Sequence, residues 1–152
     1  MKDTQEIINT HKKFIQTICE TETVFALQNK EEFAITYSHN YEDEEGDPVQ
    51  IICFWSEENL AKACINHEWT AYKLYEIDLA DFMENWCVGI DMDGLMAGTD
   101  FDGNLNGYEA DSLEMILEII TTLKKKKKAV KLTNYKSIEE LETQVKNALY
   151  GE

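Results

Sequence analysis

The sequence predicts an α+β fold: a single domain with a small, mostly antiparallel sheet, helices packed on it and a C-terminal helical extension. Three observations lead there. Apolar residues alternate with polar ones mainly in the first half of the chain, whereas helical spacing dominates the second half. No regular strand-helix-strand repeat links the two, which argues against a parallel α/β sheet. With 152 residues, 43% of them hydrophobic, the chain has enough material for one ordinary core and is short for two.

Asp3 and Glu6 form a capping box ahead of Ile7, His11, Phe14, Ile15 and Ile18, so the first element is an amphipathic helix ending near Cys19. Alternation from Thr23 to Leu27 and from Phe33 to Tyr37, with polar residues between, predicts a hairpin. Tyr41 to Pro48 carries the acids Glu42, Asp43, Glu44, Glu45 and Asp47 together with Gly46 and the sole proline, which reads as an exposed loop. Val49, Ile51, Cys53 and Trp55 then alternate as a strand, and Ser56 is placed to cap a helix carrying Leu60, Ala61 and Cys64. A strand over Ala71 to Ile77 follows. Asp78 is expected to cap a short helix with Leu79, Phe82, Met83 and Trp86, after which Gly89, Gly94, Gly98, Gly103 and Gly107 punctuate a turn-rich stretch containing a strand at Leu95 to Thr99. Asp111 with Glu114 and Ser137 with Glu140 open two final helices, the second striped by Leu141, Val145 and Ala148. The predicted division is an α+β core over 1–123 and a Lys-rich segment with a helix over 124–152, packed on the same domain.

Charge is the most informative property of the composition. Asp and Glu number 30 against 14 basic residues, giving a formal charge of −16, and every basic residue is lysine. Arginine is the usual residue for bidentate phosphate and guanine recognition, so its absence within an acidic field argues against a nucleic-acid partner. The charge is also polarised along the chain: acids recur from Glu76 to Glu118 with no base or histidine between Lys73 and Lys124, and half of the lysines then fall from Lys124 to Lys136. Such a field speeds encounter with a basic protein and concentrates cations. No apolar run approaches the roughly 20 residues that span a bilayer. Cys19, Cys53, Cys64 and Cys87 show no C-x-x-C pair and sit among apolar neighbours, which suits reduced, buried thiols in a cytoplasmic protein without a signal peptide.

Several segments together resemble an uncharacterised bacterial family, domain of unknown function 2750. They are Glu22 to Leu27; Phe54, Trp55 and Ser56 with the helix Ala61 to Cys64 and Trp69; Ile77, Asp78 and Leu79 with Phe82 and Trp86; and Asp93, Gly94 and Leu95. The likeness covers about residues 15–110, with Phe25 and Ser56 standing where the family pattern leads to tryptophan and proline. It implies the order of elements and a bacterial cytoplasmic origin. It implies no activity and transfers no catalytic residue.

Asp102, Asn104 and Asn106 with Gly107 reproduce the opening oxygen ligands and turn glycine of an EF-hand calcium loop, but the position for the closing bidentate acid falls on Leu113. The competing reading is an ordinary Asn/Gly turn. Asp91 and Asp93 could act as paired carboxylates only if a cleft and two different environments separated their proton affinities. His11, His39 and His67 share no metal-ligand spacing; Cys64 and His67 are near enough in sequence to touch but lack an orienting third group. Trp55, Trp69 and Trp86 with Tyr72 and Tyr75 fit a core, with an exposed indole edge able to anchor a partner. The run Lys124 to Lys128 fits a solvated helix end better than a membrane-binding patch. Nucleotide-binding and hydrolase signatures are absent.

These features point to an acidic, non-enzymatic binding protein with no cofactor, facing a basic protein through Asp91, Asp93, Asp100, Asp102 and Glu109. An immunity protein that neutralises a cationic bacterial toxin is its concrete form. The alternative is a small calcium-binding or hydrolytic protein that uses the Asp-rich loop 91–111.

Overall fold

The computed structural model describes residues 3–66 and 69–151 and forms a single α+β domain. Asp3 accepts a hydrogen bond from the Glu6 N–H at 2.8 Å and so caps α1 (Thr4–Thr21), which buries His11, Phe14, Ile15, Ile18 and Cys19 along one face. Removing side chains the size of Phe14 or Ile18 from water contributes about 1.5–3 kcal/mol each. The helix runs to Thr21, two residues beyond the expected stop near Cys19, and Glu22 follows it as a C-cap in the left-handed region.

β1 (Thr23–Asn29) turns at Lys30 into β2 (Glu32–Phe33), and on its other side pairs antiparallel with β5 (Lys73–Asp78), giving a sheet of order β2-β1-β5. The expected second hairpin arm, Phe33 to Tyr37, is therefore split. Ala34 is the reason: its N–H donates to the Leu27 carbonyl at 2.9 Å while its carbonyl accepts from the Cys53 N–H at 3.0 Å, so one buried alanine serves both sheets. Beyond it β3 (Ile35–Glu42) pairs with β4 (Pro48–Phe54), opening a second sheet of order β3-β4-β6-β7 with β6 (Met96–Thr99) and β7 (Tyr108–Ala110). β4 and β6 run parallel, and the other pairs in both sheets are antiparallel. A bridge between Phe25 and Trp55 joins the sheets into one bent surface.

Helices cover one face of that surface. Asp78 caps α3 (Leu79–Asp81), as its sequence position suggests, but the helix does not stop near Trp86: it widens into a π-helical segment (Phe82–Cys87) and continues as α4 (Val88–Met92), taking in Gly89. Asp111 caps α5 (Ser112–Lys125) and Ser137 caps α6 (Ile138–Tyr150), both through the hydrogen bonds expected of those residues. α1, α3, α5, α6 and the π segment share one core, in which Leu132, Ile138, Leu141 and Val145 of the C-terminal segment are buried with Phe14, Phe82 and Ile116.

A smaller core lies on the opposite face, built from Leu27, Ile51, Cys53, Trp55, Trp69 and Phe101 with Ala61 of α2 (Glu58–Lys62). Phe101 fits only because two neighbours lack side chains. A Cβ on Gly107 would lie 2.2 Å from its ring and one on Gly98 would lie 2.7 Å from it. Ser56 does not cap α2. Glu57 occupies that position without a side-chain hydrogen bond, because Ser56 is turned inward towards Asp100.

Candidate functional site

The five carboxylates predicted to face a partner do not form one surface. Asp91 and Asp93 are exposed on and just after α4. Burial, aided by the charge of Asp111, raises the Asp91 carboxyl above the usual carboxylate range. Asp100 departs from the expectation: it is 7% exposed, adopts a left-handed φ of 47°, and accepts the Ser56 N–H at 2.8 Å and the Ser56 hydroxyl at 2.9 Å. A short polar side chain tolerates that backbone, and the inward-facing carboxylate ties the end of β6 to the end of β4. Asp102 is half-buried and accepts the Asn104 and Asn106 N–H groups at 2.9 and 3.0 Å. Glu109, also half-buried, accepts the Ser38 hydroxyl and the His39 N–H, fastening the bulge of β3 to β7. Of the five, Asp91 and Asp93 are the two exposed residues.

The proposed calcium loop has the hydrogen bonds of an Asx turn between two strands, β6 and β7, rather than the flanking helices of an EF-hand. Among the described residues no group of three or more His, Cys, Asp or Glu side chains is arranged to hold a metal ion. Asp91 and Asp93, two apart at the end of a helix, point to different sides instead of converging as an acid-base pair.

All four cysteines are buried. Burial pushes Cys19 up to about 11, despite the opposing charges of Lys126 and Lys128, and raises Cys53 and Cys87 as well, so these groups are thiols at neutral pH. Cys64 donates to the Phe101 carbonyl at 3.3 Å, and its suggested partner His67 lies outside the described residues.

His11 joins a chain that its position on α1 does not reveal. Its Nδ1 lies 2.9 Å from Thr99 Oγ1, its Nε2 lies 2.9 Å from Glu118 Oε1, and its ring stacks on Tyr108 at 4.0 Å. With the imidazole neutral, the carboxylate requires the proton on Nε2, leaving Nδ1 to accept from the Thr99 hydroxyl. The order hydroxyl, imidazole, carboxylate has the outline of a nucleophile relay, but Thr99 is 0% exposed and no substrate can reach it. The chain therefore cross-links α1, β6 and α5.

The lysine run closes α5 at the surface, with Lys124 to Lys127 exposed and Lys128 half-buried. Lys128 Nζ donates to the Cys19 and Glu20 carbonyls at 2.8 and 2.9 Å, capping the C-terminal end of α1. Lys124 pairs with Glu142 at 2.6 Å and Lys126 with Glu20 at 3.6 Å. Among the described residues no helix is long and apolar enough to cross a membrane.

What sequence reasoning missed is a groove between the β3–β4 turn and the α4–β6 turn. Asp43, Glu44, Glu45 and Asp47 stand on one wall and Asp93 on the other of a cleft of about 750 Å³, with Tyr37, 52% exposed, among its lining residues. Asp43 orders its own turn by accepting the Glu45 and Asp47 N–H groups at 2.9 and 3.0 Å. Asp93 also borders a second recess of about 270 Å³, formed by Ile52, Asn85, Trp86, Gly89 and Ile90. Strand register connects the two: Ile35 lies opposite Ile52 and Tyr37 opposite Gln50, so these four side chains share the face turned towards α4.

Aromatic packing extends that face. Phe33 meets Trp86 at 4.7 Å and Tyr75 at 5.2 Å, both edge-on, and Tyr75 reaches solvent. By contrast Trp55 and Trp69 are buried against each other at 5.9 Å. The Trp55 indole donates to the Phe101 carbonyl at 2.8 Å, whereas the indole N–H of half-buried Trp86 has no acceptor among the described residues. The acids of the β3–β4 turn and Trp86 each carried a signal in sequence, but their meeting across β4 did not.

No curated protein and no solved structure matches the chain. Residues 11–119, from within α1 into α5, match the family described as protein of unknown function (DUF2750), a span that holds Trp86, Asp93 and both walls of the groove. The chain belongs to the DUF2750 family.

Proposed function

We propose that this chain is a non-enzymatic binding protein that docks a basic protein in the groove between the β3–β4 turn and the α4–β6 turn. One observation carries the reading: carboxylates line both walls, no lysine or histidine lies among the lining residues, and apolar and aromatic side chains continue from the cleft. Charged rims steer encounter, and partly exposed aromatic residues at an interface supply most of the affinity. The overall charge of −16 acts in the same direction. An immunity protein against a cationic toxin, acting in a bacterial cytoplasm, is the concrete form of this reading.

The contact residues differ from those the sequence suggested. Asp91 and Asp93 remain at the surface, Asp93 within the groove, and Glu44, Glu45 and Asp47 take the place of Asp100, Asp102 and Glu109. The test compares wild type with a variant carrying Glu44→Gln, Glu45→Gln, Asp47→Asn and Asp93→Asn, each immobilised and exposed to an extract of the organism that makes the protein. A basic protein held by wild type at low salt, released at high salt and not held by the variant supports the reading. Equal retention by both proteins removes the groove from it.

A further inference from the structure

We infer that the recess beside Trp86 receives a lysine or arginine side chain of the docked partner; the inference rests on the reading above and names the group recognised. At about 270 Å³ the recess has room for one long side chain. Its walls are the apolar groups of Ile52 and Ile90 and the indole of Trp86. Two polar residues border it, and they differ in what they have left to offer.

Asn85 is committed on both sides: its amide N–H donates to Asp81 at 2.6 Å and its carbonyl accepts from Asn134 at 3.2 Å. Asp93 makes no side-chain hydrogen bond or ion pair among the described residues, so it is the open acceptor at the mouth. Apolar walls, an aromatic face and a single open carboxylate match an amphipathic cation, whose aliphatic stem packs on Ile52 and Ile90 while its charged head reaches the indole and the carboxylate. A neutral aliphatic side chain would leave Asp93 unused, and an acidic one would meet like charge from Asp93 and from the β3–β4 turn. Trp86 is held for this role by Phe33 at 4.7 Å and Phe54 at 5.7 Å, both edge-on, which leaves its remaining surface to the recess.

Gly89 provides a test that spares the fold. It is helical, lines the recess, and a Cβ built on it meets nothing within 4 Å, so Gly89→Leu adds an apolar side chain at the recess from a position where its first carbon is unobstructed. The probe is acetyl-tetra-arginine amide, with the neutral isostere acetyl-tetra-citrulline amide as comparison, titrated at physiological salt into wild type, Gly89→Leu and Asp93→Asn. Amide and indole NMR shifts provide the readout, and melting temperature checks that each variant is folded.

The expected result is a set of shifts centred on the Trp86 indole N–H, Ile52 and Gly89 with the arginine peptide alone, with binding weakened roughly tenfold in each variant, the scale of one lost cation–π or charge contact. Shifts confined to residues 43–47 and unchanged by Gly89→Leu would overturn the inference while leaving a groove that binds basic partners. Equal binding of the citrulline peptide would overturn the cationic assignment, and no binding of either peptide would overturn the recess as a site. Loss of salt-sensitive retention in the capture experiment bears instead on the docking reading, so the two failures are separable.

Discussion

Replacing Glu84 tests how the C-terminal segment is held to the rest of the molecule. Glu84 lies in the π-helical segment, is 4% exposed, and its two carboxylate oxygens accept the backbone N–H groups of Asn134 at 2.6 Å and Thr133 at 2.9 Å. Those amides sit between α5 and α6, so one buried carboxylate anchors the connection between the last two helices. Hydrogen bonds to a charged group contribute about 1.5–3 kcal/mol each. Glu84→Ala removes both, while Thr133 and Asn134 are exposed enough for water to recover part of the loss, and relief of the buried charge offsets more.

The expected net cost is about 3 kcal/mol, a substantial fraction of the 5–15 kcal/mol that stabilises a typical domain. Glu84→Gln keeps one carbonyl acceptor but sets an amide donor against the second N–H, and should cost about half as much. With a urea dependence near 2 kcal/mol per molar, the alanine variant should unfold about 1.5 M earlier by tryptophan fluorescence. Hydrogen exchange at Thr133 and Asn134 should accelerate beyond the global change. A cost of less than about 0.5 kcal/mol, or unaltered local exchange, would refute the anchoring role.

Two further outcomes follow from the same geometry. Gly107→Ala sets a Cβ 2.2 Å from the buried Phe101 ring and should lose about 1–3 kcal/mol in the same urea assay, whereas Gly103→Ala, whose nearest neighbour would be Asn66 Nδ2 at 3.5 Å, should change little; equal behaviour would remove the packing argument. Because burial and the charge of Asp111 raise the Asp91 carboxyl above the usual carboxylate range, the ionised form of Asp91 opposes folding, so Asp91→Asn should be the more stable protein at neutral pH. That advantage should vanish as pH falls through the raised pKa towards the ordinary carboxylate range, and a thermal-melt difference that grows towards acid would contradict it.

The sequence alone determined the α+β class, the capping residues Asp3, Asp78, Asp111 and Ser137, and the buried stripe of α1, because caps and hydrophobic period are properties of neighbouring residues. It also exposed the family resemblance through spaced aromatics. Other features were decided between distant residues. Ala34 switches the chain from one sheet to the other only because Leu27 and Cys53 supply its hydrogen-bond partners. β7 is three residues long and becomes a strand only against β6. The continuation of the helix through Gly89 rests on a π-helical segment whose Cys87 carbonyl is satisfied by the Ser112 hydroxyl at 2.8 Å.

The same division separates the acids. Composition and spacing showed how many there are and that they cluster, but whether a carboxylate faces solvent depends on which donors the fold brings to it. Ser56 drew Asp100 inward, Ser38 and His39 engaged Glu109, and the amides of its own turn engaged Asp102, while Asp93 stayed open opposite Glu44, Glu45 and Asp47. Long-range pairing of donors with acceptors converted a charge run into a groove, and that pairing is a property of the tertiary structure.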